Sequence, residues 1–124
     1  MVERLRANPV FADLGEESLA RLAAAASEVN APAGRTLIER GRPGSGLFVL
    51  ERGYVTVEAP EGERELGPGA IFGERALLGE DIRRTARVSA RSDVRCLAIP
   101  RVEVERVLAE DEHFEGRLRD LAAL

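Results

Sequence analysis

The sequence predicts a domain made mainly of β-strands, an antiparallel sandwich or barrel, with a helix before it and two helices after it. Three observations lead to this fold class. An apolar stripe with helical spacing precedes residue 30, glycine and proline then punctuate short apolar segments, and helical spacing returns after residue 100. We assign residues 1–124 to a single domain, with a helical N-terminus over 1–29, a β-barrel over 30–99 and C-terminal helices over 100–124.

The N-terminal helix is predicted from Glu16 to Val29. Its apolar positions lie three, one and three residues apart and share one helical face: Leu19, Leu22, Ala23 and Ala26. Glu16 and Glu17 fall in the first turn, where carboxylates interact favourably with the helix dipole. Phe11 and Leu14, just upstream, are expected to anchor this helix on the rest of the domain.

Short apolar or alternating runs, each bounded by glycine, proline or charged residues, are predicted as strands. These runs are 36–38, 47–50, 54–57, 70–72, 86–88 and 94–99. Residues 54–58 alternate between apolar and polar, so one face of this strand should be buried and the other exposed. Gly53 separates two of the runs and predicts a tight hairpin between them. Strands at this spacing favour an antiparallel sandwich or barrel over alternating helix and strand.

The helical pattern after residue 100 has two parts. Pro100 stands where a helix tolerates proline, near its start. The first apolar stripe consists of Val104, Val107 and Leu108. The second stripe, spaced four, three and one, consists of Phe114, Leu118, Leu121 and Ala122. We therefore expect two C-terminal helices.

Composition excludes most familiar enzyme chemistry. All 18 basic residues are arginine, so there is no lysine for a Schiff base or for a lysine-bearing phosphate loop. One histidine and one cysteine cannot assemble a zinc site of His and Cys ligands within one chain. Cys96 is expected to be an inert core residue, and His113 a surface residue between the last two helices. We predict no catalytic residue, no metal and no cofactor.

Charge and hydropathy limit the partners. A formal net charge of -4 argues against non-specific nucleic-acid binding, which needs a basic surface to neutralise phosphates. No stretch approaches the ~20 apolar residues that span a bilayer, and the N-terminus lacks the apolar run of a signal peptide. We expect a cytoplasmic chain with no membrane partner.

The segment around residue 73 has the chemistry of a nucleotide monophosphate pocket. Gly73 permits close approach of the backbone to a ligand, and residues 74–78 favour a short helical turn whose free N–H groups bind anions. An arginine about ten residues later, returning on the next strand, can close the site with a forked contact to two phosphate oxygens. Glu74 suits a sugar, because a carboxylate accepts hydrogen bonds from hydroxyls.

This segment resembles the phosphate-binding cassette of cyclic nucleotide-binding domains. The resemblance rests on residues 72–78 and 84–88, and the ten-residue spacing from Glu74 to Arg84 is similar to that of bacterial catabolite-activator-type regulators. Further motifs at 32–57 and 67–74 extend the likeness over roughly residues 9–124. It implies a double-stranded β-helix, or jelly-roll barrel, that binds cyclic AMP or cyclic GMP.

The resemblance implies roles for individual residues of the cassette. Glu74 would hold the ribose 2′-hydroxyl and Arg84 the cyclic phosphate. Thr85 would add a hydroxyl contact, and backbone N–H groups around Arg75 and Ala76 would complete the anion cradle that begins at Gly73. These residues form the predicted ligand-binding set.

Two points about the return strand stay open at this stage. Some family members have a cassette one residue shorter, which would select Arg83, but the small residues that follow Arg84 favour Arg84 as the phosphate ligand. Arg87 is expected to point away from the pocket. A hydroxyl at the position of Thr85 accompanies cyclic GMP preference in eukaryotic relatives, and a serine there serves cyclic AMP in bacterial ones, so cyclic AMP is slightly favoured.

The same resemblance suggests a wall for the base. Ile38, Val57 and Leu66 fall where family members line the pocket beside the purine. Since barrel walls are apolar in any case, these residues are predicted as a base pocket on weaker grounds than the cassette.

The functional expectation follows from the family. It is a regulatory module that binds a cyclic nucleotide and signals to an effector domain or protein through its C-terminal helices. The chain lacks the long dimerisation helix and helix-turn-helix domain of the transcription-factor relatives, so no direct DNA binding by it is expected. A homodimer and a fragment of a longer regulator stay open. The alternative is a degenerate domain that binds no ligand and serves interaction or oligomerisation, whereas a metal-dependent cupin enzyme fails on histidine count.

Overall fold

The computed structural model describes residues 1–39, 46–73 and 86–123, with side chains to residue 120. The helices of these ranges are α1 (Val2–Arg6), α2 (Pro9–Ala12), α3 (Glu16–Ala25), α4 (Arg101–Glu110) and α5 (Glu112–Ala123). The strands are β1 (Ser27–Ala31), β2 (Thr36–Ile38), β3 (Gly46–Arg52), β4 (Val55–Ala59), β5 (Gly62–Leu66), β6 (Ile71–Phe72), β7 (Arg87–Ala90) and β8 (Val94–Pro100). No helix in the described ranges has the length and apolarity needed to cross a bilayer.

The strands form two antiparallel sheets of four strands. Sheet A has the order β1-β8-β3-β6, and sheet B has the order β2-β7-β4-β5. The predicted fold class, mainly β with helices on either side in sequence, is confirmed. The barrel is not closed, because no pairing between the described strands joins sheet A to sheet B. The two sheets instead form a sandwich.

Two hydrophobic cores hold the layers together. One lies between the sheets and includes Leu50 and Cys96 from sheet A with Val55 and Val88 from sheet B. The other lies between sheet A and the helices, where Phe11, Leu14, Phe114 and Leu118 pack on the strands. The side chains of all of these are buried.

The surroundings of each sheet explain the pattern of apolar and polar residues in its strands. In β3 the run 47–50 is continuously apolar because Leu47 and Val49 face the helices while Leu50 faces sheet B. In β4 only Val55 and Val57 are buried, and Thr56, Glu58 and Ala59 are partly exposed. The alternation predicted for this strand is therefore confirmed, with its apolar face on the sandwich core.

The N-terminal helix is shorter than predicted. It ends at Ala25, and Ser27–Ala31 is a strand at the edge of sheet A that pairs with β8. Val29, expected to close the helix, lies opposite Cys96 and packs on the sandwich core. An apolar residue three positions after Ala26 is compatible with a helix and with a strand. This segment is a strand because it pairs with β8.

The hairpin predicted at Gly53 is wrong. The strands on either side, β3 and β4, belong to different sheets, and Gly53 is the corner at which the chain crosses from sheet A to sheet B. The chain returns from sheet B to sheet A between β7 and β8, at Ser92 and Asp93, directly against this corner. The backbone N–H of Tyr54 donates to Ser92 Oγ at 3.0 Å, which ties the two corners together.

A half-buried carboxylate links the helical layer to sheet A. Glu51, whose side chain is 15% exposed, accepts hydrogen bonds from Arg4 Nε at 3.0 Å and from Arg95 Nε at 3.2 Å. Arg4 also bonds Glu28 Oε1 at 2.8 Å. The hydrogen bond from Arg4 is the main reason that the pKa of Glu51 lies below its usual value.

Gly53→Ala is expected to destabilise the fold strongly. Gly53 has φ +83°, and an added Cβ would overlap the Asp93 carbonyl oxygen and lie 2.8 Å from Ser92 Oγ. Gly34→Ala is a matched control, because Gly34 has φ +93° with nothing within 4 Å of its Cβ position. We expect a loss of about 1–2 kcal/mol for Gly34→Ala from backbone strain and roughly 4 kcal/mol for Gly53→Ala, measured by urea unfolding. Equal losses would contradict the close approach at this corner.

Removing the charge of Glu51 is expected to weaken the fold at neutral pH. Because the folded-state pKa of Glu51 is depressed, its contribution is fully present above the unfolded value of about 4.5 and is lost as pH falls through the folded value. Glu51→Gln should cost roughly 1–2 kcal/mol at pH 7 and make the acid limb of the stability curve shallower. The control Glu115→Gln, in an exposed pair with Arg119, should cost within about 0.5 kcal/mol. Unchanged acid sensitivity in Glu51→Gln would refute the role of this carboxylate.

Candidate functional site

The three predicted base-wall residues come together on one face of sheet B. Ile38 of β2 lies opposite Val88, and Val88 lies opposite Val57 of β4, so these residues form a row across three strands. Leu66 of β5 lies opposite Val55, one step further along the same face. Ile38 and Val57 are buried, and the half-buried Leu66 packs on the same core. This face, which we call the inner face of sheet B, is turned toward sheet A.

The outer face of sheet B carries charge. Arg87 and Glu58 lie opposite each other, and Arg87 Nε is 3.5 Å from Glu39 Oε1. Arg91, after β7, lies with its Nε 3.5 Å from Glu65 Oε1. The guanidinium of Arg87 thus lies on the side of the sheet away from the sandwich core, as the strand alternation predicted.

Gly73 follows β6 at the rim of the sandwich core. It has φ +94°, a left-handed conformation that glycine adopts without strain. The preceding Phe72 is buried and stacks on Phe48 with ring centroids 5.1 Å apart and planes 3° apart. Gly73 therefore directly follows a stacked aromatic pair and is the last described residue before 74–85.

The turn before β6 is fixed from two sides. The backbone N–H of Gly69 donates to Leu50 O at 2.8 Å, and Leu50 N–H donates to Ala70 O at 2.8 Å. Asn8, a buried residue at the start of α2, donates from Nδ2 to Gly69 O at 2.9 Å. This side chain connects the N-terminal helices to the strand that leads into Gly73.

The rest of the predicted ligand-binding set lies outside the described residues. This applies to Glu74, Arg75, Ala76, Arg84 and Thr85, and to the alternative phosphate ligand Arg83. The structure therefore gives the positions of Gly73 and of the inner-face residues, and the choice between Arg83 and Arg84 stays a prediction.

Arg64 is a polar residue of this region that the sequence pattern did not reveal. The segment Gly62–Leu66 is almost wholly polar and was not predicted as a strand, yet it pairs with β4 along its length. In that register Arg64 lies directly opposite Val57, so it emerges on the inner face, while Glu63 and Glu65 emerge on the outer face. Only the pairing partner, and no feature of the segment itself, assigns Arg64 to the pocket side.

Cys96, His113 and a groove beside sheet A take no part in this face. Cys96 is fully buried in the sandwich core, and burial raises the pKa of its thiol to about 11, so it is inert as expected. His113 is exposed in the first turn of α5. A groove of about 550 Å³ lies beside β1 and β8, lined by charges of both signs, among them Glu28, Arg52 and Arg95. Neither Gly73 nor the base-wall residues Ile38, Val57 and Leu66 line it.

A family model described as "Cyclic nucleotide-binding domain" matches residues 28–111, which is more than half of the chain. The chain therefore belongs to the cyclic nucleotide-binding domain family, as the cassette resemblance indicated. The matched range includes α4 and both sheets except Ser27, the first residue of β1.

Curated relatives extend the match over most of the chain. It is 39% identical over 114 residues to a cyclic nucleotide-gated potassium channel of Mesorhizobium japonicum, covering 92% of the chain and 32% of the channel. It is 28% identical over 128 residues to a cGMP-dependent protein kinase of Drosophila melanogaster, covering 97% of the chain and 14% of the kinase. A cAMP-dependent protein kinase regulatory subunit of Aspergillus fumigatus is 35% identical, with 88% of the chain and 27% of the subunit covered. The chain thus spans a third or less of these relatives.

Solved structures confirm the fold. The sensor domain of the transcriptional regulator DNR from Pseudomonas aeruginosa superposes with a TM-score of 0.83 at 20% identity, covering 98% of this chain and 85% of that one. The N-terminal domain of a transcriptional regulator from Streptomyces coelicolor gives a TM-score of 0.66 at 35% identity, covering 96% of this chain and 89% of that one.

Proposed function

We propose that this chain is a regulatory module that binds cyclic AMP or cyclic GMP between the cassette of residues 73–85 and the inner face of sheet B. The observation that carries the proposal is the convergence of Ile38, Val57 and Leu66, residues of three different strands, on that one face. An apolar wall beside a glycine in a left-handed conformation suits a planar base whose phosphate is held by backbone N–H groups.

The cassette supplies the polar half of the proposed pocket. Glu74 accepts hydrogen bonds from the ribose 2′-hydroxyl, and Arg84 makes a forked contact with the cyclic phosphate. Thr85 and the backbone N–H groups of Arg75 and Ala76 complete the anion site. In this proposal the domain performs no chemical step, because binding alone is its task. The kinase relatives share only this region with the chain, so no kinase activity is inferred from them.

The C-terminal helices are the proposed output of the module. They contact the N-terminal helices through a ring contact between Phe11 and Phe114, 5.7 Å between centroids, and through Arg117 Nε, which donates to Val10 O at 2.9 Å. Arg21 joins α3 to the end of α4 by two hydrogen bonds to Glu110, at 2.7 and 3.2 Å. A ligand that binds one arrangement of these helices better than another shifts the population toward it, and an effector domain or protein reads the shift.

Arg84→Ala is expected to lower cyclic nucleotide affinity on the order of 100-fold, because a buried phosphate loses its charge-assisted fork. Arg83→Ala is the matched control, since the neighbouring residue on a strand points to the opposite face. Isothermal titration of both variants with cyclic AMP and cyclic GMP measures the difference. The reverse order of losses would show that the cassette is one residue shorter. Absence of heat from the folded wild-type chain at high micromolar ligand would favour the ligand-free interaction module instead.

Ligand binding is expected to change the protection of the C-terminal helices more than that of the sheets. Backbone amides of α4 and α5 should change their hydrogen-exchange rates when cyclic nucleotide is added, because the helical contacts with α2 and α3 are redistributed. Amides of β3 and β8, in the centre of sheet A, provide the internal reference. Protection that changes only around residues 73–85 would mean that binding is not passed to the helices.

A further inference from the structure

The groove beside β1 and β8, with a volume of about 550 Å³, has the size of a small-molecule site. Polar side chains cross it from strand to strand of sheet A. Asn30 of β1 lies opposite Arg95 of β8, and Arg95 lies opposite Arg52 of β3. Asp93, just before β8, lines the same groove.

Two guanidinium groups meet in this groove although their like charges repel each other. The register of β3 against β8 shifts by one residue after Leu50, so Glu51 and Arg52 both lie beside Arg95. Arg95 donates to Glu51 through Nε at 3.2 Å, and its two Nη groups make no hydrogen bond with the described residues. Arg52 makes no hydrogen bond or ion pair with the residues that the structure describes. Because like charges directly opposite each other destabilise a sheet, a carboxylate bound between them would relieve the repulsion.

The groove also holds hydrogen-bond acceptors that are only partly engaged. Asp93 accepts from the Ala33 N–H through Oδ1 at 3.0 Å, and its Oδ2 has no hydrogen bond within the described residues. Asn30 donates from Nδ2 to Glu28 Oε2 at 2.9 Å, so its Oδ1 stays without a hydrogen bond there. Both oxygens of Glu28 are engaged, because Oε1 accepts from Arg4 at 2.8 Å. The groups left for a ligand are therefore guanidinium donors together with a carboxylate oxygen and an amide oxygen.

Donors and acceptors of opposite charge select a ligand that carries both charges close together. A carboxylate takes the forked contact of a guanidinium, and an ammonium group donates up to three hydrogen bonds to oxygen acceptors. A free α-amino acid carries both groups on one carbon atom. A simple anion would be attracted by the arginines but repelled by Asp93, and a simple cation would be attracted by Asp93 but repelled by the arginines.

We propose that this groove binds the zwitterionic head of a free α-amino acid. The carboxylate of the ligand lies between Arg52 and Arg95. Its ammonium group donates to Asp93 Oδ2 and Asn30 Oδ1. Among the described residues this site shares none with the proposed nucleotide pocket, so it gives the chain a second small-molecule ligand.

The test uses three probes that share one side chain and differ in charge: L-alanine, N-acetyl-L-alanine without the ammonium group, and L-alaninamide without the carboxylate. Each is titrated at constant pH and ionic strength into the isotope-labelled chain, and the backbone amide chemical shifts give both affinity and location. The proteins are the wild type, Arg52→Ala, Asp93→Asn and the control Arg106→Ala, whose charge lies on α4 outside the groove. Asp93→Asn keeps an Oδ1 acceptor for the Ala33 N–H and removes only the charge. The same spectra check that the variants are folded, which the exposed positions of Arg52 and Asp93 favour.

We expect L-alanine to shift the amide signals of Asn30, Asp93 and Arg95 in a saturable way. It should bind about 10-fold more tightly than either blocked probe, because each blocked probe loses a charge-assisted hydrogen bond. Arg52→Ala and Asp93→Asn should each weaken L-alanine binding about 10-fold for the same reason, whereas Arg106→Ala should leave it unchanged. Absence of saturable shifts at these residues, equal affinity for L-alanine and a blocked probe, or full affinity in either groove variant would overturn the inference. No cyclic nucleotide enters these measurements, so such a failure would leave the proposed function as it stands.

Discussion

The contact between the two corners of the chain is the constraint on which the sandwich depends. Gly53 carries the chain from sheet A to sheet B, and residues 91–93 carry it back. The backbones meet so closely at Gly53 and Asp93 that no side chain fits between them. Because β3 pairs with β8 in one sheet and β4 with β7 in the other, displacement of these corners would shift the register of both sheets. The inner face of sheet B, with Ile38, Val57 and Leu66, takes its place from this crossing.

The two sheets differ in their apolar and charged residues because different layers cover them. Sheet A is covered by helices on one side and by sheet B on the other, so its central strands carry continuous apolar runs, 47–50 in β3 and 96–99 in β8. Sheet B has a solvated outer face that carries ion pairs. The buried Asn8 connects the helical layer to the turn before β6, because its side chain caps α2 by accepting from Val10 N–H and donates to Gly69 O. The turn before Gly73 and the start of α2 are thereby joined through one side chain.

The sequence predicts the helices and strands that have a buried apolar face, and it does not predict the features that are defined only by strand pairing. Strands with a buried face were found, and so were the helices around Leu19, Val104 and Phe114, because each carries a stripe of core residues. The strands β1 and β5 were missed, since both lie at sheet edges and are polar for most of their length. The sequence predicts a hairpin at Gly53 because a glycine between two strands is typical of a tight turn within one sheet. Only the strand pairing shows that the chain passes from one sheet to the other there. The cassette stays a prediction from its spacing, because residues 74–85 lie outside the described residues, while the inner-face position of Arg64 required the register of β5.

The arginines of the chain differ in their surroundings. Exposed arginines form solvent-screened ion pairs with glutamates, such as Arg91 with Glu65 or Arg119 with Glu115. Each such pair contributes little to the free energy of unfolding. The guanidinium of Arg64, on the apolar inner face, forms no such pair with the described residues. A charge beside Val57 and Leu66 does not by itself stabilise the fold. Edge strand β5 makes its cost small, because the charged end still reaches water at the rim.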